Sequence, residues 1–298
     1  MNVQLAAFPK GFMDALCITR SMSLFDWILL AGELEIDGLE FYDGFLESQE
    51  KPYLEKVRDA LAVRKLQMPM LCCSPDFTNP DYEKRKQEVS REKKWIDLVN
   101  YFGGKTCRVL SGQRFPQVSR HDGVRWVTEC LKELVEYAEQ KKVILAMENH
   151  YKDNYWHYPE FAQKLDVFME ILDMVPSPWL GVNFDPSNAF LAGEDPIDVL
   201  EAVKHRIVSM HASDRRLKPG HTVQELNQFT PALDYPNILV HGVIGQGLND
   251  YDRIFSTLRN VNFQGWISIE DGVGGMEDLH ASVEFLKPKI RDYFSEKS

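Results

Sequence analysis

Short runs of apolar, β-branched and aromatic residues alternate along this chain with longer stretches in which apolar positions recur every three to four residues. The short runs have the length and composition of buried strands, and the long ones have the spacing of helices with one buried face. There are eight short runs: NVQLAAF from Asn2, IDGLEFY from Ile36, QMPMLCCS from Gln67, KTCRVLSG from Lys105, VILAMENH from Val143, LGVNFDPS from Leu180, IVSMHASD from Ile207 and GWISIEDG from Gly265. Between them, DGVRWVTECLKELVEYAEQKK from Asp122 sets Val124, Val127, Leu131, Leu134, Val135 and Ala138 on one face and charge on the other. EFAQKLDVFMEILDMV from Glu160, DYDRIFSTLRN from Asp250 and MEDLHASVEFLKPKIRDYF from Met276 follow the same rule. Strand-then-helix repeats predict parallel strands joined by crossover helices. Eight of them predict an α/β fold of the closed (β/α)8 type, a TIM barrel, rather than an open doubly wound sheet.

No linker-like or low-complexity segment interrupts the repeats, so residues 1–298 are expected to form a single domain. Two connections are long for such a fold, 75–84 after the third strand and 215–248 after the seventh. Both leave the carboxyl ends of strands, where barrel pockets are built.

Composition narrows the functions open to this fold. A formal net charge of -11 disfavours nucleic acid as a partner, because phosphate backbones are gripped by Lys and Arg replacing counterions. No run approaches the length of a membrane span and MNVQLAAFPKGF lacks the pattern of a secretory leader, so a cytoplasmic protein without membrane contact is expected. The cysteines, Cys17, Cys72, Cys73, Cys107 and Cys130, are odd in number and form no C-x-x-C pair, which points to free thiols.

Strands five to eight each end in a side chain able to bind a metal: Glu148 in AMENH, Asp185 in NFDPS, His211 in SMHASD and Glu270 in SIEDG. In a barrel these four ends are consecutive around one rim, so residues distant in sequence converge on one point. Three carboxylates and an imidazole suit Mn2+, Mg2+ or Co2+ and also accommodate Zn2+; the lack of thiolates argues against a structural zinc site. A divalent ion on two adjacent oxygens of a hydroxy-ketone stabilises the charge left when the neighbouring C–H ionises, and Glu148 and Glu270 are then candidates to exchange that proton.

His150, two residues beyond Glu148, is a candidate base or a hydrogen-bond partner for a ligand. Trp156, in the aromatic loop YKDNYWHYPE, offers a surface for a sugar ring or flat aglycone. Glu40, at the end of strand two, points a further carboxylate at the rim or forms an ion pair inside it. Asp214, Arg215 and Arg216 follow His211 as candidates to orient or grip substrate. In HGVIGQGLNDYD, Gly245 and Gly247 precede a helix capped by Asn249 or Asp250, either as an anion site or simply as a tight turn.

Through MENH, NFDPSN, HASDRR and GWISIEDG the sequence resembles the xylose-isomerase-like TIM barrels, which include tagatose 3-epimerase and, more distantly, inosose dehydratase and endonuclease IV. The resemblance implies Glu148, Asp185, His211 and Glu270 as metal ligands, Mn2+ as the usual ion, frequent homo-oligomers, and a sugar isomerase or epimerase activity on a small-molecule substrate. The chain departs from ketose 3-epimerases at Asn154 (their glutamate), Asn188 (their histidine) and Leu217 (their arginine), positions that bear on substrate. It is equally similar to the catalytic subunit of C-glycoside deglycosidases, lyases that act on 3-keto glycosides by elimination and work with a small partner subunit. An endonuclease IV activity would need more histidine and acidic ligands and a basic groove, which the sequence lacks.

Overall fold

The fold is taken from a computed structural model, which describes residues 3–153, 155–226 and 238–295. Nine strands form one parallel sheet: β1 (Gln4–Ala7), β2 (Gly38–Leu39), β3 (Phe41–Tyr42), β4 (Met70–Cys72), β5 (Thr106–Val109), β6 (Ile144–Glu148), β7 (Leu180–Phe184), β8 (Ile207–Ala212) and, last in the chain, Trp266–Ile269. Before that last strand, β9 (Arg215–Leu217) and β10 (Leu239–His241) make a separate antiparallel ribbon, so the closing strand is β11. β2 and β3 are two halves of a single stave flanking Glu40. β2 pairs with β1, β3 pairs with β4, and β1 pairs with β11, which closes an eight-stave barrel.

Each expected strand is present within its run. The first starts at Gln4 rather than at Asn2, which lies outside the described residues, as does Asn154. The helices at 120–141, 251–260 and 276–294 match the amphipathic stretches. The helix expected from Glu160 starts only at Leu165, because residues 160–163 are spent on other bonds: Glu160 pairs with Gln113, and Gln163 bonds the Leu191 carbonyl. The long connection after strand seven contains the ribbon and a short helix at 223–226; its residues 227–237 lie outside the described set.

The core is a layer of Val, Leu, Ile and Phe between the outer face of the sheet and the helices, with Trp27, Phe41, Phe168, Phe184 and Phe255 fully buried. Strand alternation sends every second side chain the other way, into the barrel. The inward positions are Ala146 and Glu148 on β6, Ser209 and His211 on β8, Asn183 on β7 with Asp185 just beyond it, and Ser268 on β11 with Glu270 just beyond it. The staves thus deliver small or polar residues to the lower layer and titratable ones to the upper. Among the described residues no helix is long and apolar enough to cross a membrane.

Candidate metal centre

Glu148, Asp185, His211 and Glu270 converge at the carboxyl end of the barrel, with one ligand atom from each lying within 4.8 Å of all the others. His211 is central: its Nδ1 lies 3.3 Å from Glu148 Oε1 and 3.4 Å from Glu270 Oε2. On its other side, Nε2 is 2.8 Å from Glu40 Oε1, which also accepts from the Cys72 thiol at 2.8 Å. Glu40 therefore lies beneath the cluster as the ion pair inside the rim, orienting the imidazole.

Each carboxylate is held by its own partners. Glu148 accepts from Arg108 Nη1 at 2.8 Å and from the Asn188 amide at 3.1 Å. Asp185 Oδ1 accepts from Ser213 Oγ at 2.6 Å and from the backbone N–H groups of Ser187 and Asn188, so it also caps the helix at 186–191. Its backbone is clasped by Asn149, which accepts from the Asp185 N–H and donates to its carbonyl. Glu270 accepts from Lys10 Nζ at 3.2 Å.

Neighbouring cations compensate two of the three carboxylates, Glu148 and Glu270, and leave Asp185 uncompensated. Burial alone would raise the Glu148 carboxyl, but the charges of His211 and Arg108 outweigh it and hold the group down at about 2. Asp185 goes the other way: burial, then the negative charges of Glu270 and Glu148, push it up to about 7. His211 is raised despite burial, by Glu40, Glu270 and Glu148. Asp185 Oδ2 is sealed from solvent with no hydrogen-bond partner, an expensive state for a carboxylate oxygen unless something else satisfies it. An orphaned oxygen among three carboxylates and an imidazole fits a divalent cation held by these four side chains.

The remaining sequence candidates fall into two groups. His150 lines the solvent-open cavity above the cluster, together with Lys10, Tyr42 and Glu270. Its ring stacks on Tyr151, and its Nδ1 is 3.8 Å from Glu160 Oε2. Asn188 lies under Glu148, and Trp156 is buried along a neighbouring groove.

Arg215 and Arg216 lie in the ribbon, Asp214 just precedes it, and none of the three lines the cavity. Asp214 accepts from the backbone N–H groups of Gly245, Gly247 and Asn249 at 2.9, 2.9 and 3.2 Å. The glycine turn therefore does cradle an anion, and the anion is the chain's own. Gly247 is required there: a Cβ would sit 2.1 Å from Asp214 Oδ1. Asp250 is the helix cap, accepting from the Arg253 N–H. Arg215 is buried and donates to Asp271 at 3.0 Å, which His241 meets at 2.7 Å, while Arg216 is exposed.

Lys10, Arg108 and Glu160 complete the surroundings of the site and were not singled out in the sequence. Arg108 left a readable sign: an arginine in the middle of the apolar strand KTCRVLSG must be paired if it is buried. Lys10 gives no such sign, since a lysine just beyond a strand is ordinary.

A parallel eight-stave barrel with titratable ends on its last four staves defines a metal-competent α/β barrel. The description xylose isomerase-like TIM barrel matches residues 28–289, and the chain belongs to that family. Among curated relatives, an inosose dehydratase from Clostridium botulinum (strain Alaska E43 / Type E3) is 25% identical over 224 residues, 72% of each chain. Among solved structures, the IolI protein with a bound zinc atom superposes with a TM-score of 0.76 at 17% identity, over 98% of this chain and 100% of that one. The apo form of 3-keto-D-glucoside 4-epimerase, YcjR, from E. coli gives 0.69 at 15% identity, over 97% and 99%. At these identities the two structures speak for the fold.

Proposed function

We propose that this chain is a divalent-metal-dependent enzyme of the isomerase and epimerase type, acting on a sugar or keto-sugar by removing a proton from carbon next to a carbonyl. The observation that carries this reading is the convergence of Glu148, Asp185, His211 and Glu270 beneath a solvent-open cavity, with their ligand atoms within 4.8 Å of one another. Mn2+ is the ion we assign; Mg2+, Co2+ and Zn2+ suit the same donors, and the zinc of the IolI protein supports a divalent ion in this fold. When bound, the cation supplies a Lewis acid that stabilises negative charge on the substrate oxygens.

The chain's own residues handle the proton. Glu148 is enclosed by Arg108, Asn188 and His211 and stays ionised as a ligand. Of the titratable groups that line the cavity, we assign proton transfer to Glu270 and His150, which reach it from separate staves. One accepts the proton from the substrate carbon, and the C–H electron pair moves onto the carbonyl oxygen, giving an enediolate. The other returns a proton to the opposite face of the same carbon for epimerisation; for isomerisation the proton goes to the former carbonyl carbon, while the hydroxyl proton on the neighbouring oxygen passes to the former carbonyl oxygen. Lys10 orients Glu270 through their 3.2 Å contact.

A second reading is a lyase on the same chemistry, in which the enolate electron pair reforms the carbonyl and expels a group from the next carbon. C-glycoside cleavage of a 3-keto glycoside is its concrete form. That a relative is named a dehydratase favours keeping it.

Incubating the Mn2+-loaded protein in D2O with free ketoses, and separately with 3-keto glycosides, tests both. Deuterium at the carbon beside the carbonyl, with epimer or isomer formed, is the expected result. Aglycone release without epimer assigns the lyase. Neither deuterium nor product in either set overturns the proposal.

A further inference from the structure

The cavity above the metal centre is narrow and opens to solvent between Lys10, Tyr42, His150 and Tyr155. It does not end there. A wider groove, about 370 Å3, runs sideways from it, and the two share Tyr42, Asp153 and Tyr155 as a common wall.

The groove is built rather than incidental. Ser74 Oγ donates to Asp153 Oδ2 at 2.7 Å, fixing the shared wall to the end of β4. Asp76 accepts from the Gln113 backbone and side chain at 2.9 and 3.0 Å, and Gln113 Oε1 in turn accepts from the backbone N–H groups of His157 and Tyr158 at 2.7 and 3.1 Å. The loops after staves three, four and five are thereby pinned to each other, so the groove keeps its shape without a ligand. Its far wall is one stripe of the helix at 82–102: Lys84, Gln87, Glu88 and Arg91, at the spacing that aligns side chains along a helix face. The near side carries aromatic surface, with Tyr155 60% exposed at the junction and Trp156 behind it. Aromatic faces combined with amides and charges are what a ring with hydroxyl groups, or an aryl group with polar substituents, requires.

We infer that the substrate has two parts: a reacting sugar in the metal cavity and a second ring in this groove, joined past Tyr42, Asp153 and Tyr155, so that the enzyme acts on a glycoside rather than on a free monosaccharide. This inference rests on the proposed sugar activity and narrows it.

The test is binding by calorimetry to the Mn2+-loaded protein, using three ligands with the same reacting ring: methyl 3-keto-β-D-glucopyranoside, phenyl 3-keto-β-D-glucopyranoside and 3-ketocellobiose. The phenyl or the cellobiose ligand is expected to bind at least ten-fold more tightly than the methyl one, and whichever wins shows whether the second ring is aryl or sugar. Gln87→Trp, at an exposed helix position, fills the groove without touching the cavity and is expected to abolish that advantage while leaving methyl-ligand affinity within two-fold. Equal affinity for all three ligands, or an advantage that survives Gln87→Trp, overturns the two-part substrate and leaves the sugar activity standing. Failure of all three to bind likewise overturns the two-part substrate, and the sugar activity is then decided by the D2O exchange with free ketoses.

Discussion

Arg108 reaches from β5 to Glu148 on the neighbouring stave, its Nη1 2.8 Å from Oε2, and both side chains are sealed from solvent. An arginine so placed is tied to the metal site through the carboxylate it holds ionised. Replacing it with leucine leaves a buried carboxylate short of its partner, a change that costs about 3–5 kcal/mol in comparable pairs. Arg108→Leu is therefore expected to lower the stability of the metal-free protein by about that amount in chemical denaturation, and Mn2+ is expected to narrow the gap. Unchanged stability would mean that His211 alone compensates Glu148.

His150 faces the cavity without being a member of the ligand cluster. His150→Asn is expected to reduce kcat by about 100-fold or more, the usual size of a lost proton-transfer group, with metal content unchanged. Steady-state kinetics alongside elemental analysis reads both, and a variant with full kcat removes His150 from the chemistry.

Glu92 carries the clearest pH dependence. It lies between the sheet and the helix at 82–102, beside the thiol of Cys107 at 3.3 Å. Burial pushes its carboxyl up to about 8, with Asp43 adding to the effect and the Cys107 and Arg91 contacts opposing it. The folded state thus prefers the neutral acid, while the unfolded chain ionises near 4.5. The group favours folding fully below about pH 4.5, and that contribution is lost as pH rises towards 8, at up to about 1.4 kcal/mol per unit. Glu92→Gln is expected to flatten this slope and to exceed the wild type in Tm at pH 8 by more than at pH 5. Parallel stability profiles for the two proteins would refute it.

Gly247→Ala tests the clasp on Asp214. The added methyl would meet Oδ1 at 2.1 Å, so the turn must open and give up N–H bonds to a buried carboxylate. A stability loss of about 1–3 kcal/mol is expected, with faster amide exchange at Gly245 and Asn249. A neutral substitution would show that the turn relaxes freely.

The fold could be read in the sequence because every stave is a short apolar run, and the candidate site because each of the last four runs ends in a titratable residue. Glu148, Asp185, His211 and Glu270 stood out for this reason. Glu40 was visible as a carboxylate, but not as the partner of His211, because the split of its stave into β2 and β3 is a matter of pairing. The bond from Arg215 to Asp271 was not legible, since an antiparallel ribbon within a long connection has no local signature that distinguishes it from a loop. Lys10 escaped notice because its role depends on β1 lying beside β11, a contact across more than 250 residues of chain.

Metal stoichiometry by elemental analysis after Mn2+ loading and desalting tests the centre most directly, comparing the wild type with Asp185→Asn and His211→Ala. Asparagine keeps an oxygen to cap the helix at 186–191, so the first variant removes charge from the site while preserving local structure. The account predicts about one Mn2+ per wild-type chain and less than a tenth as much in either variant, with circular dichroism unchanged. Wild-type protein that retains no metal, or variants that retain as much as the wild type, would contradict it.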